Sequence, residues 1–368
     1  MIIGIDASRS NIKQKTGTEY YSYEIIKGIT RSKKYKFRLY SKTPINYLPK
    51  SENIENKVMR FPRLWSQFRL SLEIFLNSPD VLFEPAHTIP LYHGKKVVVT
   101  LHDVGFRYYP QLYTPLERYY HHFCMAFSVK HATQIIAVSN ATKEDLVKLY
   151  KADKNKITVI YHGFDQKRYK PIQKDEKVSP EIKKYLPYIY FIGRLEAKKN
   201  VKKLVRAYGN LRRNYPNIRH KLVLAGRPGY QYEEIKDEIL NLPPDIQKDV
   251  IETGYVPDDI VSNFMRFASV FAFPSNFEGF GMPLLEAMAS GVPIVASDKT
   301  SIPEVVQDAG YLCDPDDTEA LEDGLAKVIL DHKYREELIK KGLKRAKFFS
   351  WEKAAEETLK VIEKAAQS

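Results

Sequence analysis

The stretch Phe277–Gly291 (FEGFGMPLLEAMASG) predicts a glycine-bearing loop that leads into a short helix. Pro283 suits the first helical position, because the N–H that proline lacks has no partner there. Gly291 suits the position just past the helix end, where the backbone is often left-handed. The next residues, Val292–Ser297, read as a buried strand. A loop, a helix and a buried strand in succession are typical of an α/β protein.

The start of this predicted helix offers groups that bind anions. A helix N-terminus presents unpaired N–H groups and a partial positive charge, which attract phosphate, and Gly279 and Gly281 let a ligand approach the backbone closely. The carboxylates of Glu278 and Glu286 accept hydrogen bonds from pairs of hydroxyls, such as those of ribose or a hexose. For the two glutamates alone, a structural role that favours the helix dipole is equally compatible with the sequence. Together, the phosphate-binding and hydroxyl-binding groups predict a nucleotide-sugar site.

Strand-like runs alternate with helical patterns along the chain, which predicts parallel sheets covered by helices on both faces. The first set of predicted strands is Ile2–Asp6, Phe37–Tyr40, Val81–Glu84, Lys96–Leu101, Gln134–Val138 and Ile157–Ile160. The second set is Tyr188–Ile192, Lys221–Ala225, Val250–Thr253, Val270–Phe273 and Ile294–Ser297. Between the two sets, the polar, proline-containing segment Asp165–Pro187 reads as a linker. Ala141–Tyr150 reads as a helix capped by Ser139 or Asn140.

These patterns predict two Rossmann-like, doubly wound domains that face a cleft, with ligands at the carboxyl ends of the strands. The predicted domains are residues 1–165 and 166–350, and a last amphipathic helix, residues 351–368, is expected to pack back on the first domain. With 368 residues, the chain is long enough for two separate cores.

The positive charge is concentrated in the first part of the chain. Residues 1–150 hold 22 lysines and arginines against 12 acidic residues, or +10, whereas the remaining residues hold 36 against 33, or +3. This asymmetry favours an anionic partner, such as a membrane surface, a phospholipid-linked substrate or nucleic acid. A lysine-rich surface without a partner is the open alternative. Trp65–Leu76 is amphipathic at helical spacing, which suits either core packing or a membrane interface.

Other features of the sequence limit the expected cellular location of the protein and the metals or cofactors that it could bind. The N-terminal residues lack a cationic leader, and no apolar run approaches the length of a membrane helix, so the expected location is the cytoplasm, with reversible association at the inner face of the membrane as an option. Cys124 and Cys313 are isolated and show no metal-ligand spacing. The only close approach to an Asp-x-Asp metal site is Asp314-Pro315-Asp316, far from the signature loop. We therefore expect no metal and no cofactor.

The full signature is more specific than its parts. Glu278-Gly279-Phe280-Gly281-x-Pro283, a second glutamate eight residues after the first, and the following Ala-x-Ala-x-Gly-x-Pro run resemble the donor site of family 4 (group 1) retaining glycosyltransferases of the GT-B fold. The resemblance covers essentially the whole chain and is strongest over Gly193–Gly310. It implies a metal-independent, retaining hexosyltransferase with a nucleotide diphosphate sugar as donor and a saccharide or lipid-linked acceptor. Similar short family members often use GDP-mannose and build surface polysaccharides, which favours mannose here.

The second domain is expected to supply most of the donor site. In the segment Gly193–Asn200, the resemblance implies that Arg194 and Lys199 hold the diphosphate, although Lys198 is also available and Asn200 stands where the family usually has glycine. It also implies that Glu278 holds the hydroxyls of the donor sugar and Glu286 those of the ribose. The other donor-binding positions that it implies are Gly226, Tyr255, Val256, Gly279, Phe280, Gly281, Met282 and Pro283.

The first domain, expected to bind the acceptor, also contributes. Val97–Asp103 predicts a strand that ends in His-Asp. In the family, the corresponding histidine contacts the donor sugar. The resemblance therefore adds His102 to the predicted catalytic residues, which are otherwise Arg194, Lys199 and Glu278. Asp103 is expected to orient His102 or to cap the next turn. Ala7–Tyr21, around Thr16–Glu19, matches the family's loop after the first strand, which covers the diphosphate and the acceptor. Paired glycines are usual there and this chain has Gly17 alone, so the resemblance implies that Gly17 is the donor-binding residue of this loop.

Two mechanisms and two other functions stay open at this point. Retention can proceed by front-face displacement, in which the departing phosphate helps to deprotonate the acceptor, or through a covalent intermediate on Glu278. A nucleotide-sugar epimerase would share the architecture but would lack an acceptor site. A basic nucleic-acid-binding protein would explain the charge, yet the sequence has no helix-turn-helix, RRM-like or zinc signature, so we expect no nucleic-acid partner.

Overall fold

The computed structural model describes residues 1–12, 15–62, 64–173 and 175–368, so Lys174 of the predicted linker lies outside the described residues. The chain forms two compact units. The first unit combines Met1–Gly163 with Ser350–Ser368, and the second is Phe164–Phe349. The chain therefore passes between the units two residues before the predicted boundary.

The first unit is built on a parallel sheet with the strand order β3-β2-β1-β4-β5-β6-β7. Its strands are β1 Ile2–Asp6, β2 Lys36–Ser41, β3 Ile54–Val58, β4 Val81–Glu84, β5 Val97–Leu101, β6 Gln134–Ala137 and β7 Ile157–Val159. All six predicted strands are confirmed to within two residues at each end. The edge strand β3 was not predicted, because three of its five residues are polar and little of it is buried.

The second unit repeats this architecture with the order β10-β9-β8-β11-β12-β13. Its strands are β8 Tyr188–Ile192, β9 Lys221–Ala225, β10 Val250–Gly254, β11 Val270–Phe273, β12 Ile294–Ser297 and β13 Gly310–Cys313. Strands β9, β11 and β12 are buried almost throughout, as expected for a sheet covered on both faces. The short edge strand β13 was not predicted.

Helices cover the sheets and fill the connections. In chain order they are α1 Gly17–Ile29, α2 Ser71–Leu76, α3 Gly105–Tyr108, α4 Pro115–His131, α5 Asn140–Tyr150, α6 Pro180–Lys183, α7 Val201–Asn214, α8 Tyr232–Leu240, α9 Pro244–Gln247, α10 Asp258–Arg266, α11 Met282–Ala289, α12 Ile302–Val306, α13 Thr318–Leu330, α14 His332–Ala346 and α15 Trp351–Gln367. The predicted helix at Trp65–Leu76 consists of a π-helical segment, Ser66–Leu70, that continues into α2. Helix α15 packs against α1 in the first unit.

Local capping explains where two of these helices begin. The Ser139 hydroxyl accepts a hydrogen bond from the Thr142 N–H at 3.0 Å, so Ser139, not Asn140, caps α5. Thr16 caps α1 in a capping box with Glu19. Thr16–Glu19 therefore form the cap and first turn of a helix, so the predicted loop Ala7–Tyr21 ends at Thr16 and Gly17 begins α1. The Thr-x-x-Glu spacing in the sequence was the signal for this cap.

Both sheets reverse their strand order next to the first strand of the unit. In the second unit β8 pairs with β9 on one side and β11 on the other, and in the first unit β1 lies between β2 and β4. The loops that leave the two central strands at such a point diverge to opposite faces of the sheet. The crevice between these loops is where open α/β sheets bind ligands.

Candidate active site

Most of the predicted donor-binding residues lie at the carboxyl edge of the second sheet. Arg194 and Lys199 follow β8, Gly226 follows β9, Tyr255 and Val256 follow β10, and Glu278 and the signature loop follow β11. These strands are neighbours in the order β10-β9-β8-β11. The sheet topology therefore gathers at one edge residues that are up to 92 positions apart in the sequence, from Arg194 to Glu286.

Lys199 and Glu278 form an ion pair at the reversal point of this sheet. The Lys199 ammonium donates to the Glu278 carboxylate with Nζ and Oε1 2.5 Å apart, and only 16% and 12% of the two side chains are exposed. The two loops also meet through the backbone, because the Asn276 N–H donates to the Lys198 carbonyl at 3.0 Å. The structure thus brings the predicted phosphate-binding cation directly against the predicted sugar-binding carboxylate.

The main chain around Glu278 is fixed by residues that the sequence analysis did not single out. The Glu278 N–H donates to the Thr300 hydroxyl at 3.1 Å. The Ser301 hydroxyl lies 3.0 Å from the carbonyl of Glu278 and 3.1 Å from that of Phe280. Both residues follow β12, the strand next to β11. Their hydroxyls hold the signature loop in place from the neighbouring strand end.

The Arg194 side chain is exposed, and hydrogen bonds of the neighbouring main chain fix the backbone beside it. The next residue, Leu195, donates to the Arg227 carbonyl and accepts from the Gly229 N–H, both at 2.9 Å. The stem of Arg194 lies over Gly229, since a Cβ at Gly229 would be only 2.6 Å from its Cγ. Among the described residues, Arg194 has no ion-pair partner. The position of the guanidinium therefore depends on Gly229, another residue that the sequence analysis missed.

Asn200 occupies the position where the family usually has glycine. Its backbone is left-handed, with φ 56° and ψ 32°. Glycine adopts this conformation without strain, and asparagine tolerates it better than most residues. The Asn200 side-chain amide donates to the Pro315 carbonyl at 2.5 Å. This departure from the family pattern is thus compatible with the same backbone.

Gly226 is required by the close approach of two chain segments. An added Cβ would lie 1.8 Å from the Gly193 carbonyl oxygen, and the backbone has φ +155°. The Gly226 N–H also donates to the Gly254 carbonyl at 2.8 Å. The structure therefore explains Gly226 by main-chain packing of the loops that leave β8, β9 and β10.

We predict that Gly226→Ala destabilises the second unit by at least about 2 kcal/mol, because the Gly193 main chain must move. Gly254→Ala is the matched control, since a Cβ there meets nothing within 4 Å and only the left-handed backbone, with φ +66°, is strained. That change should cost roughly 1 to 2 kcal/mol. Urea unfolding monitored by circular dichroism measures both values. Equal stability of the two variants would contradict the proposed close contact.

The signature helix has the predicted form with a shift of one residue at its start. Helix α11 begins at Met282, so Pro283 is its second residue, and Gly281 precedes it with a left-handed backbone at φ +94°. The helix ends at Ala289, and Gly291 follows with φ +71°, as predicted. Glu286 is half-buried on this helix. Burial raises the pKa of the Tyr169 hydroxyl, and the nearby Glu286 carboxylate raises it further.

The loops after β9 and β10 present an exposed aromatic surface. The Tyr255 ring is 47% exposed, and the Arg227 guanidinium lies over it at 4.8 Å from the ring centroid. The next residue, Val256, is buried. Tyr255 was predicted to lie near the nucleobase, whereas Arg227 was not singled out. A ring backed by a cation is suited to stacking on a planar base.

In the first unit, His102 is a buried and neutral histidine at the end of β5. Its Nε2 donates to the Pro85 carbonyl at 2.9 Å, which fixes the tautomer. Burial and the neighbouring His87 lower the pKa of His102 to about 3. The Asp103 carboxylate accepts a hydrogen bond from the Gly105 N–H at 2.7 Å, so it caps the next turn, which was one of its two predicted roles.

A cavity of about 730 Å³ lies within the first unit. Its lining includes the strand-end residue Asp6, the aromatic residues Trp65 and Tyr120, and His87. The two Asp6 oxygens accept hydrogen bonds from the Ser8 N–H at 2.8 Å and the Ser66 hydroxyl at 3.1 Å. Burial and the nearby Asp6 raise the pKa of Glu84 at the end of β4 well above its usual range. A cavity lined by carboxylates and aromatic rings is suited to a saccharide.

The Asp314-Pro315-Asp316 sequence forms ion pairs with lysines. Asp314 pairs with Lys299 at 3.2 Å, and Asp316 pairs with Lys203 at 2.6 Å. Among the residues that the structure describes, no group of three or more His, Cys, Asp or Glu side chains is arranged to hold a metal ion. In the same part of the chain, every helix is too short or too polar to cross a membrane.

The fold is that of the GT-B glycosyltransferases. The structure superimposes with a TM-score of 0.73 on the crystal structure of Anabaena Alr3699/HepE in complex with UDP and glucose, covering 98% of this chain and 99% of that chain at 17% identity. Family models match both parts of the chain, "Glycosyltransferase Family 4" at residues 17–168 and "Glycosyl transferases group 1" at residues 172–345.

Two curated relatives have more similar sequences. O-antigen chain mannosyltransferase B of Escherichia coli is 33% identical over 290 residues, which cover 73% of each chain. O-antigen chain mannosyltransferase RfbU of Salmonella typhimurium is 26% identical, over 66% of this chain and 63% of the relative. The chain belongs to the group 1 glycosyltransferases of family 4, as the sequence signature predicted.

Proposed function

We propose that this protein transfers a mannosyl group, with retention, from a nucleotide diphosphate sugar to a saccharide or lipid-linked acceptor in the synthesis of a surface polysaccharide. The observation that carries the proposal is the Lys199–Glu278 pair at the reversal point of the second sheet, beside Arg194 and the N-terminus of α11. The names of the two relatives, both O-antigen chain mannosyltransferases, support the choice of mannose and of a polysaccharide product.

The donor site can stabilise the leaving group with protein charges. As the sugar departs, negative charge develops on the diphosphate, and the Arg194 guanidinium, the Lys199 ammonium and the N–H groups that open α11 are the groups assigned to receive it. Glu278 then holds hydroxyls of the donor sugar, and Glu286 holds those of the ribose. The base stacks on Tyr255, while Gly226 and Val256 contribute backbone.

The Lys199–Glu278 pair favours front-face displacement over a covalent route. In the covalent route the Glu278 carboxylate must attack the anomeric carbon, but the ammonium 2.5 Å away stabilises its charge and reduces its nucleophilicity. In front-face displacement, the acceptor oxygen bonds to the anomeric carbon on the side from which the phosphate oxygen leaves. The acceptor proton passes to that departing phosphate oxygen, so no protein base is needed.

The acceptor is assigned to the cavity of the first unit. Asp6 supplies a carboxylate that can accept hydrogen bonds from sugar hydroxyls, and Trp65 and Tyr120 supply apolar ring surface. His102 enters the proposal as a neutral residue, because its lowered pKa excludes an imidazolium at physiological pH. Its predicted contact with the donor sugar, and that of Gly17 with the donor, rest on the family resemblance.

The experiment that tests the function combines donor screening with product analysis. A thermal-shift screen of GDP-, UDP-, ADP- and dTDP-sugars identifies the donor, because a ligand that binds the folded state raises the melting temperature by mass action. We expect the largest shift with GDP-mannose. The anomeric configuration of the transferred sugar, measured by NMR, then tests retention. Release of an epimerised nucleotide sugar in the absence of acceptor would point to an epimerase instead.

We predict that transfer continues at an undiminished rate in excess EDTA. The reason is that the charges assigned to the diphosphate are Arg194, Lys199 and a helix N-terminus, which do not depend on a bound cation. The measurement is the initial rate with and without EDTA after extensive dialysis, with added Mg²⁺ and Mn²⁺ as the comparison. An absolute requirement for either ion would show that the leaving group is neutralised in another way.

A further inference from the structure

Two carboxyl groups lie side by side at the reversal point of the first sheet. Asp6 and Glu84 are the last residues of β1 and β4, and these strands pair in register up to Ile5 and Phe83. Register partners on neighbouring parallel strands lie about 5 Å apart and project to the same face of the sheet. Only 6% of Asp6 and 1% of Glu84 are exposed. Two acidic side chains are therefore buried next to each other at the strand ends where an open sheet binds ligands.

The surroundings of the two carboxyl groups differ. Asp6 accepts hydrogen bonds from the Ser8 N–H at 2.8 Å and from the Ser66 hydroxyl at 3.1 Å, one at each oxygen. The Oε1 atom of Glu84 has no hydrogen-bond partner among the described residues. A buried carboxylate needs donors, so the negative charge belongs on Asp6 and the proton on Glu84. Burial and the Asp6 carboxylate raise the pKa of Glu84 well above its usual range, in agreement with a neutral Glu84.

The Asp6 carboxylate is the charged neighbour that acts on Glu84. Strand β5, which pairs with β4, has no ionisable side chain, and helix α15, which also packs on β4, buries no acidic or basic one. In the segment Ser66–Leu76, which meets Asp6 through Ser66, Arg69 and Glu73 pair with each other at 3.6 Å. Arg9 and Glu19 likewise form a pair at 3.0 Å beside the cavity of the first unit. Other ionisable side chains in the lining of that cavity include Lys42, His87, Asp103 and His121.

Asp6 connects this pair to the cavity of about 730 Å³, because it is one of the lining residues. A carboxylate has about four lone-pair positions that can accept hydrogen bonds. Ser8, Ser66 and the protonated Glu84 occupy three of them, which leaves one for a ligand. A saccharide hydroxyl can donate to this position, whereas a phosphate or carboxylate group is repelled by the negative charge. The pair therefore favours a neutral ligand that bears hydroxyl groups.

We propose that Glu84 is a positioning residue of the acceptor site, which holds the Asp6 carboxylate through a shared proton and directs its remaining lone pair to a hydroxyl of a neutral saccharide. This inference rests on the proposed function, in which the cavity binds the acceptor. Glu84 acts through Asp6, and no covalent bond is made or broken at either residue. The position requires a neutral acid, because a second negative charge would repel Asp6 and remove its third hydrogen bond.

The test is the binding of octyl α-mannoside, a neutral saccharide probe, to the full chain without donor, measured by isothermal titration at neutral and at alkaline pH. Asp6→Asn should bind about 10- to 100-fold more weakly, the scale of one hydrogen bond to a charged group. Glu84→Met should bind about 2- to 10-fold more weakly, since Asp6 loses one hydrogen bond. Glu84→Gln should match the wild type at neutral pH, because its amide still donates to Asp6.

The pH dependence separates positioning from packing. Wild-type binding should weaken as the pH rises through the raised pKa of Glu84, because the pair then gains a second charge. Glu84→Gln cannot ionise, so its binding should not weaken. A carboxyl group whose folded-state pKa is raised costs no stability below its unfolded-state pKa and lowers stability as the pH rises toward its folded-state pKa. The stability of Glu84→Gln relative to the wild type, measured by urea unfolding, should therefore increase with pH over that interval.

Glu322→Gln is the matched control, since it replaces a buried glutamate of the second unit whose oxygen accepts from the Asn214 amide at 2.7 Å, a contact that glutamine can keep. It should leave probe binding and its pH dependence unchanged. Absent binding of octyl α-mannoside by the wild type, or unweakened binding by Asp6→Asn, would overturn the inference. So would equal weakening by Glu84→Gln and Glu84→Met, or an identical response of Glu84→Gln and wild type to pH.

Transfer from GDP-mannose to the same probe is measured separately, and thermal unfolding of each variant shows whether the fold is retained. Probe binding that follows the expected pattern without any transfer would refute the proposed function and leave the carboxyl pair as a saccharide site. Transfer by the wild type together with unaltered probe binding in all Asp6 and Glu84 variants would refute the inference alone.

Discussion

Replacing Lys199 or Arg194 with alanine is expected to reduce transfer at least about 10²-fold, the scale for losing one group that stabilises transition-state charge. Both residues follow β8, which lies between β9 and β11 in the second sheet. Both are proposed to stabilise the negative charge of the departing diphosphate. Lys199→Ala also leaves the largely buried Glu278 carboxylate without the ammonium that pairs with it at 2.5 Å. We therefore expect Lys199→Ala to have the larger effect of the two.

Lys198→Ala is the matched control, because it removes the neighbouring lysine, whose backbone carbonyl, not its side chain, accepts the contact from Asn276. It should retain most of the activity. The measurement is kcat/KM for each variant, together with thermal unfolding to show that the fold is retained. Near-normal turnover of both Lys199→Ala and Arg194→Ala would refute the diphosphate assignment, and a large loss in Lys198→Ala alone would transfer the role to that residue.

The two glutamates are expected to separate nucleotide binding from transfer. Glu286→Gln should weaken the binding of free nucleoside diphosphate by roughly 10- to 100-fold, since a charge-assisted hydrogen bond to the ribose contributes about 1.5–3 kcal/mol. Glu278→Gln should leave that binding nearly intact and impair transfer, because Glu278 is assigned to the sugar. Its glutamine retains an oxygen that can accept from Lys199, so the lysine should stay in position.

Isothermal titration with the nucleoside diphosphate and steady-state kinetics on the same preparations measure the two effects. Equal loss of nucleoside diphosphate binding in both variants would refute this division of roles. A covalent glycosyl-enzyme adduct on Glu278, detected by mass spectrometry of wild-type protein, would instead establish the two-step route. Both outcomes are distinct from misfolding, which thermal unfolding reports.

The sequence predicted those parts of the fold that depend on local patterns. Buried strands such as β11 and β12 are short runs of apolar residues between turn signals, and the signature helix is delimited by Pro283 and Gly291. The edge strands β3 and β13 have weaker patterns, because one side of an edge strand is open to solvent and tolerates polar residues. The predicted loop after β1 extended too far, past Thr16, because a family loop pattern was preferred over the capping box that Thr16 and Glu19 form.

The site residues that were missed act through tertiary contacts. Thr300 and Ser301 fix the signature loop from the end of a neighbouring strand, Gly229 lies beneath Arg194, and Arg227 backs Tyr255. None of these contacts has a local sequence pattern. Lys199 and Glu278 were both identified, but their direct pairing across 79 residues follows from the adjacency of β8 and β11, which only the sheet order reveals.

The Lys199–Glu278 ion pair also bears on how the proposed cycle ends. A cation that binds the diphosphate tightly also tends to retain the nucleotide product, and slow product release then limits turnover. Here the Glu278 carboxylate lies 2.5 Å from the Lys199 ammonium, so the lysine still has a counter-charge when the nucleoside diphosphate leaves. The vacated enzyme regains an internal charge balance as the product leaves. Glu278 would thus have two roles, first binding hydroxyls of the incoming sugar and then remaining as the counter-charge of Lys199 once the nucleotide has left.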